Sequence, residues 1–407
     1  MGQTIYRDDD TDTWQYGLGR GTNGNVQYSV DGNLVAEASS CYGTINTNAL
    51  TVKNTSVLAN GDIVCILQMM VGTPGGYEFN RVVSGGGTAN IVLAKKLKYT
   101  YADDDADNNA QVVKAYEVLN MTVDAGITMT VPAWDGDIGG VAFYLGKKKL
   151  LNLGILDFKG GNANVSSATL VSPTNKGGFR GGAGVHNYSG TASSYCGEGT
   201  GGRSKVTTAA NGNSGGGAIA HLTAYGSASG GSGGYLGNGE NGYWQENGSV
   251  GLGGALINGN GELTKLFFGG AGGGGADADT GGTLACSGAN GGAIAIFIFD
   301  EIDTETGYIY IDGGNAETSD RNSTGGAASG GSGLLKARIA KLGTLHVTAK
   351  AGRRAYRSSD AGSQSTAGIL HLDYGEQYTG TTDPTLSARQ DDMFTKAKLQ
   401  AQQGGMI

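Results

Sequence analysis

Residues 139–163, GGVAFYLGKKKLLNLGILDFKGGNA, and residues 291–316, GGAIAIFIFDEIDTETGYIYIDGGNA, share one layout. Each opens on a glycine pair, runs through an apolar strand, turns, makes a second strand around Ile155 or Ile309, and closes on GGNA. Residues 331–352, GSGLLKARIAKLGTLHVTAKAG, and 253–270, GGALINGNGELTKLFFGG, follow the same outline more loosely, and 216–226, GGAIAHLTAYG, repeats its beginning. Units this short cannot bury their own apolar face. Neighbouring copies must complete one another's core, which is the signature of a solenoid or other stacked β architecture.

Glycine accounts for 77 of 407 residues and falls in blocks between the apolar segments. An ordered glycine costs about 0.5–1 kcal/mol relative to alanine, so ordered blocks must recover that cost from backbone contacts that a Cβ would prevent. With 38% apolar and 16% charged residues and only 4 Pro, the chain can build a core. The formal net charge of −8 argues against a general nucleic-acid or anionic-membrane binder, both of which need basic patches. The N-terminus, MGQTIYRDDDTDT, lacks the basic and apolar regions of a signal peptide. The longest uncharged apolar stretch, near residues 289–299, falls short of the roughly 20 residues of a membrane helix. The reading is a soluble protein made in a cytoplasm and not inserted in a membrane.

The fold class expected is all-β. Residues 1–45, with Asp8, Asp9, Asp10, Trp14, Tyr16 and Tyr28 among Gly, Asn and Thr, read as an extended N-terminal arm. Residues 46–138 carry GDIVCILQMMV, YEFNRVV, ANIVLAKKLKY, AQVVKAYEV and ITMTV between glycine turns, which predicts a small antiparallel barrel or sandwich. Residues 139–373 form the glycine-rich β-solenoid with polyglycine-type segments, and 374–407 a C-terminal tail. The tail predicts one short helix, about 384–403, with Asp383 as N-cap, Pro384 at the first helical position and Gly404 beyond its end.

Residues capable of chemistry are scattered. GNSGG at 212–216 matches a nucleophile pattern with His221 nearby, but strand-like AIAHLTA follows where a helix is needed. YADDDADNN at 101–109 alternates acids like half a calcium loop, with Asn108 and Lys114 where glycine and glutamate belong. Asp300, Glu301, Asp303, Glu305 and Asp312 border one strand pair, and paired acids there would suit glycoside cleavage. Lys336, Arg338, Lys341, Lys350, Arg353, Arg354 and Arg357 form a basic cluster, and Lys147, Lys148 and Lys149 a charged turn. Cys41, Cys65, Cys196 and Cys286 have no metal or disulfide spacing, and no cofactor is implied. The candidate binding residues are Tyr188, Tyr195, Tyr235, Tyr243 and Trp244, aromatics in Gly/Ser/Asn loops with His186 nearby. The alternative is that these rings cover glycine-rich backbone or stack between rungs.

The passage from Gly61-Asp62 through Ala110-Gln111-Val112-Val113, Val131-Pro132-Ala133-Trp134-Asp135-Gly136 and Gly139-Gly140 to Gly178-Phe179-Arg180-Gly181-Gly182 resembles glycine-rich virion proteins of tailed bacteriophages. The later blocks are similar, more distantly, to the long-tail-fibre tip adhesins of T-even-like phages, in which polyglycine helices pack face to face and display receptor-binding loops. The longest pure run here is only 272–275, which favours a β-solenoid with glycine-rich corners or inserts over a complete polyglycine sandwich. The resemblance implies a virion structural protein, a tail fibre or receptor-binding adhesin contacting a host surface glycan or outer-surface protein. The arm would attach it to other virion proteins, and a homo-oligomer, most simply a trimer, is expected. The alternatives are a head fibre or capsid decoration protein without receptor role, and a polysaccharide-degrading tailspike.

Overall fold

The computed structural model describes residues 18–104, 107–186, 193–219, 227–242, 250–257, 261–277, 284–317, 323–357, 360–361 and 364–391. Among these every regular element is a β-strand. Segments 25–33, 116–130, 141–157, 294–310, 332–348 and 369–383 stack in chain order, each pairing in parallel with the next. The two GGNA repeats are thus successive rungs, with Ile155–Asp157 opposite Tyr308–Tyr310. Two insertions interrupt the stack, a barrel between the first and second rungs and a glycine-rich layer between the third and fourth.

The barrel is closed and antiparallel, in the order Ala38–Tyr42, Ala49–Val52, Asn90–Leu93, Tyr77–Ser84, Ile63–Met70 and Asn109–Lys114. The five strands expected between 46 and 138 therefore divide: three and the first half of AQVVKAYEV close the barrel, while Tyr116–Val118 and Thr128–Thr130 belong to the parallel rungs. Two strands of the expected arm, Asn25–Tyr28 and Gly32–Asn33, form the first rung. Ile63–Met70 is buried throughout. Val64 and Ile66 point into the barrel, while Ile63, Cys65, Leu67 and Met69 meet Phe143, Leu145, Ile294 and Ile296 of the rungs. The same two-sidedness explains AIAIFIF: Ile294, Ile296 and Ile298 face the barrel, and Ala295, Phe297 and Phe299 face the interior of the stack.

The glycine layer carries only short ladders, Val165–Ser166 with Ala285–Cys286 and a small sheet around Ala276–Asp277, and its other backbone bonds run between segments that belong to no strand. Gly269, Gly272 and Gly275 donate their N–H groups to Gly292, Ala289 and Cys286, while Ala271 and Gly274 donate to Glu198 and Tyr195. Likewise Ser287, Asn290 and Ala293 donate to Asn164, Gly161 and Phe158, Gly288 and Gly291 to Gly182 and Phe179, and Ala289 and Gly292 to Gly326 and Ser329. Every third residue addresses the same neighbour. That is the period of a polyproline-II helix, which leaves all its backbone groups for lateral partners. The blocks are therefore a packed layer of polyglycine-type segments rather than corners. A Cβ on Gly272 would lie 1.9 Å from the Gly326 carbonyl oxygen, and one on Gly291 1.7 Å from that of Gly269.

The C-terminal helix is not seen. Ile369–Asp383 is one long strand, and Ser387–Gln390 pairs in parallel with its first half. The tail's alternating exposure along SARQ fits an edge strand, and the rest of the expected helix lies outside the described residues. The first part of the basic cluster resolves into cross-rung pairs. Arg338 bridges Asp300 and Glu376, and Lys341 lies 3.7 Å from Glu301, which also takes Lys149. Lys336 is buried with Asp373 at 2.6 Å, alongside His371 at 3.1 Å and Arg389 at 2.9 Å. Burial works to raise the Asp373 carboxyl, but the bond to His371 and the Lys336 charge outweigh it and hold the group well below the usual carboxylate range.

Replacing Gly272 by Ala is expected to lower unfolding stability by about 3 kcal/mol through overpacking. Gly237→Ala, whose Cβ would meet only Thr366 Cγ2 at 3.5 Å, should be near neutral, and urea midpoints check the pair. The depressed Asp373 group contributes stability that is complete above its unfolded pKa and lost as pH falls through the folded value. Tm should therefore drop on acidification below about pH 4. Asp373→Asn, leaving Lys336 buried without its counter-ion, should cost about 3–5 kcal/mol near neutral pH and flatten that acid dependence.

Candidate functional site

Two sequence motifs far apart in the chain converge at the surface of the glycine layer. The Trp134 N–H bonds the Gly177 carbonyl, and the indole of Trp134 packs against Phe179 and Phe268 with centroids 6.4 and 5.3 Å away. This fully buried aromatic cluster fixes VPAWDG against GFRGG. Arg180 then lies across both, donating from Nη1 to the Asp135 carbonyl at 2.6 Å.

Glu198, 1% exposed at its side chain, holds that arrangement from below. It accepts from Arg180 Nε at 3.0 Å, Arg180 Nη2 at 2.6 Å, the Arg180 backbone N–H at 2.9 Å and Trp134 Nε1 at 3.1 Å. With four donors its carboxylate is fully engaged, and charge-assisted bonds of this kind set the guanidinium plane. Above it opens a recess of about 560 Å³ whose rim includes Ser172, Asn175, Tyr195 and Ser204 beside Asp135 and Arg180. The Tyr195 ring is partly exposed, and its backbone is pinned by bonds to Ala183 and Gly274. An aromatic face beside amide, hydroxyl, carboxylate and guanidinium groups offers both stacking and hydrogen bonding to a polyhydroxylated ring.

Of the two candidate residues that the structure describes, Tyr195 is placed at this recess and Tyr235 is not. Tyr235 is fully buried, its hydroxyl 2.5 Å from Ser332 Oγ and its ring edge-on to Phe267 at 6.1 Å, so it ties the glycine layer to the rungs and offers no free face. Burial pushes its phenol up. Tyr188, Tyr243 and Trp244 lie outside the described residues, as does His221. Ser214 is buried and accepts from the Thr200 N–H, and His186 is buried. Four of the five acids bordering the 294–310 rung are tied up: Asp300 with Arg338, Glu301 and Asp303 with Lys149, and Asp312 with the Thr348 hydroxyl. No group of three His, Cys, Asp or Glu suited to a metal occurs among the described residues, and all four cysteines are free and buried. Sequence reasoning missed Arg180 and Glu198. The GFRGG motif contains the arginine, and its acid partner lies three residues after the candidate Tyr195, in SSYCGEGT, where nothing in the local pattern marks Glu198.

No family model matches the chain, and no curated protein does. Among solved structures, the Gp54 tailspike of Acinetobacter baumannii bacteriophage AP22, in complex with A. baumannii capsular saccharide, aligns over 91% of this chain. The identity is 10% and the TM-score 0.18, a likeness too slight to carry fold or function, and the chain spans 60% of that protein's length. No helix among the described residues is long and apolar enough to cross a membrane.

Glu198→Ala would deprive all four donors of their acceptor, the buried Trp134 Nε1 and the Arg180 backbone N–H among them. Roughly 2–4 kcal/mol of stability should be lost, read by urea unfolding, and intrinsic Trp fluorescence should report the loosened Trp134 site.

Proposed function

We propose that this chain is a structural protein of a tailed-bacteriophage particle, a tail fibre or receptor-binding adhesin exposed on the virion, whose 172–204 recess meets a host surface glycan. The observation that carries the reading is the recess itself: Tyr195 and Arg180 project from backbone bonded on several sides by the glycine layer, so the binding groups are held before a ligand arrives. Preorganisation of that kind reduces the ordering cost of binding. The resemblance of residues 61–182 to glycine-rich virion proteins supports the particle assignment. The N-terminal residues ahead of the first rung attach the chain to other virion proteins, the rungs, barrel and glycine layer act as the body that presents the recess, and the assembled form is a homotrimer. We read the binding role as non-catalytic, a reading that the engagement of the Glu198 carboxylate by four donors supports.

Purified protein should block adsorption of the cognate phage to host cells. Tyr195→Ala should weaken that block about tenfold, the loss of one stacked ring worth about 1.4 kcal/mol, with Tm unchanged. Absence of any block would favour the head-fibre or decoration reading, and release of reducing ends from host glycan would favour the tailspike reading.

A further inference from the structure

The stacked repeat builds a second recess that its sequence copies do not advertise. Asp157, Tyr310 and Thr348 are register partners on successive rungs. Two residues beyond them stand Lys159, Asp312 and Lys350, and five residues beyond stand Asn162, Asn315 and Arg353. A polar ladder joins the outer set: the Asn315 N–H donates to Asn162 Oδ1 at 3.0 Å and the Arg353 N–H to Asn315 Oδ1 at 2.8 Å. With Thr174 and Lys176 the two outer sets line a recess of about 700 Å³.

Its charge is positive by a small margin. Lys176 lies 2.8 Å and Lys159 3.7 Å from Asp157, and Lys350 lies 3.5 Å from Asp383. Asp312 already accepts from the Thr348 hydroxyl at 2.6 Å and the Lys350 N–H at 2.7 Å. Lys159, Lys176, Lys350 and Arg353 therefore outnumber the carboxylates Asp157, Asp312 and Asp383, and the three lysine side chains are 38–46% exposed. A surplus this small suits one anionic group at a time, and a chain of net charge −8 repels a densely charged polymer. The remaining lining is amide, hydroxyl and glycine backbone, which matches sugar hydroxyls rather than an apolar ligand.

We propose that this recess binds a carboxylate-bearing saccharide, with the carboxylate among Lys159, Lys350 and Arg353 and the hydroxyls on Asn162, Asn315 and Thr174. The saccharide part rests on the glycan-binding reading above, whereas the anion preference rests on the recess alone.

The test is calorimetric titration of the full chain with a tetrasaccharide of alternating glucuronate and N-acetylglucosamine, and with neutral chitotetraose. The acidic sugar should bind saturably and the neutral one should not. Lys350→Gln with Arg353→Gln should weaken binding about tenfold. Removing the same charge at the exposed turn, Lys147→Gln with Lys148→Gln, should change it less than about twofold. Asn162→Asp keeps the acceptor for Asn315 and adds a negative charge, so it should weaken binding with Tm preserved, which separates charge from folding. No saturable binding, equal losses in both double variants, or equal affinity for chitotetraose would overturn the proposal. Competition by inorganic phosphate at the same concentration as the acidic sugar would overturn its saccharide part. Acidic-sugar binding that persists while the chain fails to block adsorption upholds the recess and counts against the receptor role alone.

Discussion

The structure depends on backbone-to-backbone hydrogen bonds between glycine-rich segments that approach too closely for any side chain. Segments 269–275 and 287–293 each address several neighbours in turn with a period of three, so no single partner carries them. The entropy that ordered glycine costs is offset by a dense set of satisfied donors and acceptors and by contacts that alanine would forbid at Gly272 or Gly291. A layer of this sort is stiff without a large apolar interior. That stiffness is what lets surface groups such as Tyr195 hold position.

The rungs and the barrel solve a different problem, burying strands that are apolar on both faces. Strands 141–146 and 294–303 lie between the barrel and the interior of the stack, which is why neither shows polar alternation. The charges of 294–303 fall in its last four residues, where Asp300, Glu301 and Asp303 meet Arg338, Lys341 and Lys149 of the neighbouring rungs. The exception is Lys336 with Asp373, an ion pair inside the packed sheet that is stabilising only while both partners stay charged.

Much of this is legible in the chain. The GGNA copies are true rung equivalents, because a repeat that recurs with both its strand and its turn must occupy equivalent places in a stack. Three features are hidden for physical reasons. The rung strands before residue 139 look like part of the barrel, since Tyr116–Val118 follows Asn109–Lys114 with hardly a break. SARQ reads as helix on local propensity, and pairing with His371–Tyr374 overrides it. The recess at Arg180 and Glu198 depends on long-range convergence of Trp134, Phe179 and Glu198, which no local pattern encodes. Tyr235 and Tyr195 have similar glycine-rich surroundings in sequence, yet one fills the core and the other faces solvent.

The central claim is that the glycine blocks are hydrogen-bonded structure and not tether. Residue-resolved amide exchange tests it most directly. The account predicts that the amides of Gly269, Gly272, Gly288 and Gly291 exchange as slowly as those of Ile294, Ile296 and Ile298 in the adjoining strand. Exchange of the glycine amides at the rate of an unstructured chain, with the strand amides still protected, would contradict it.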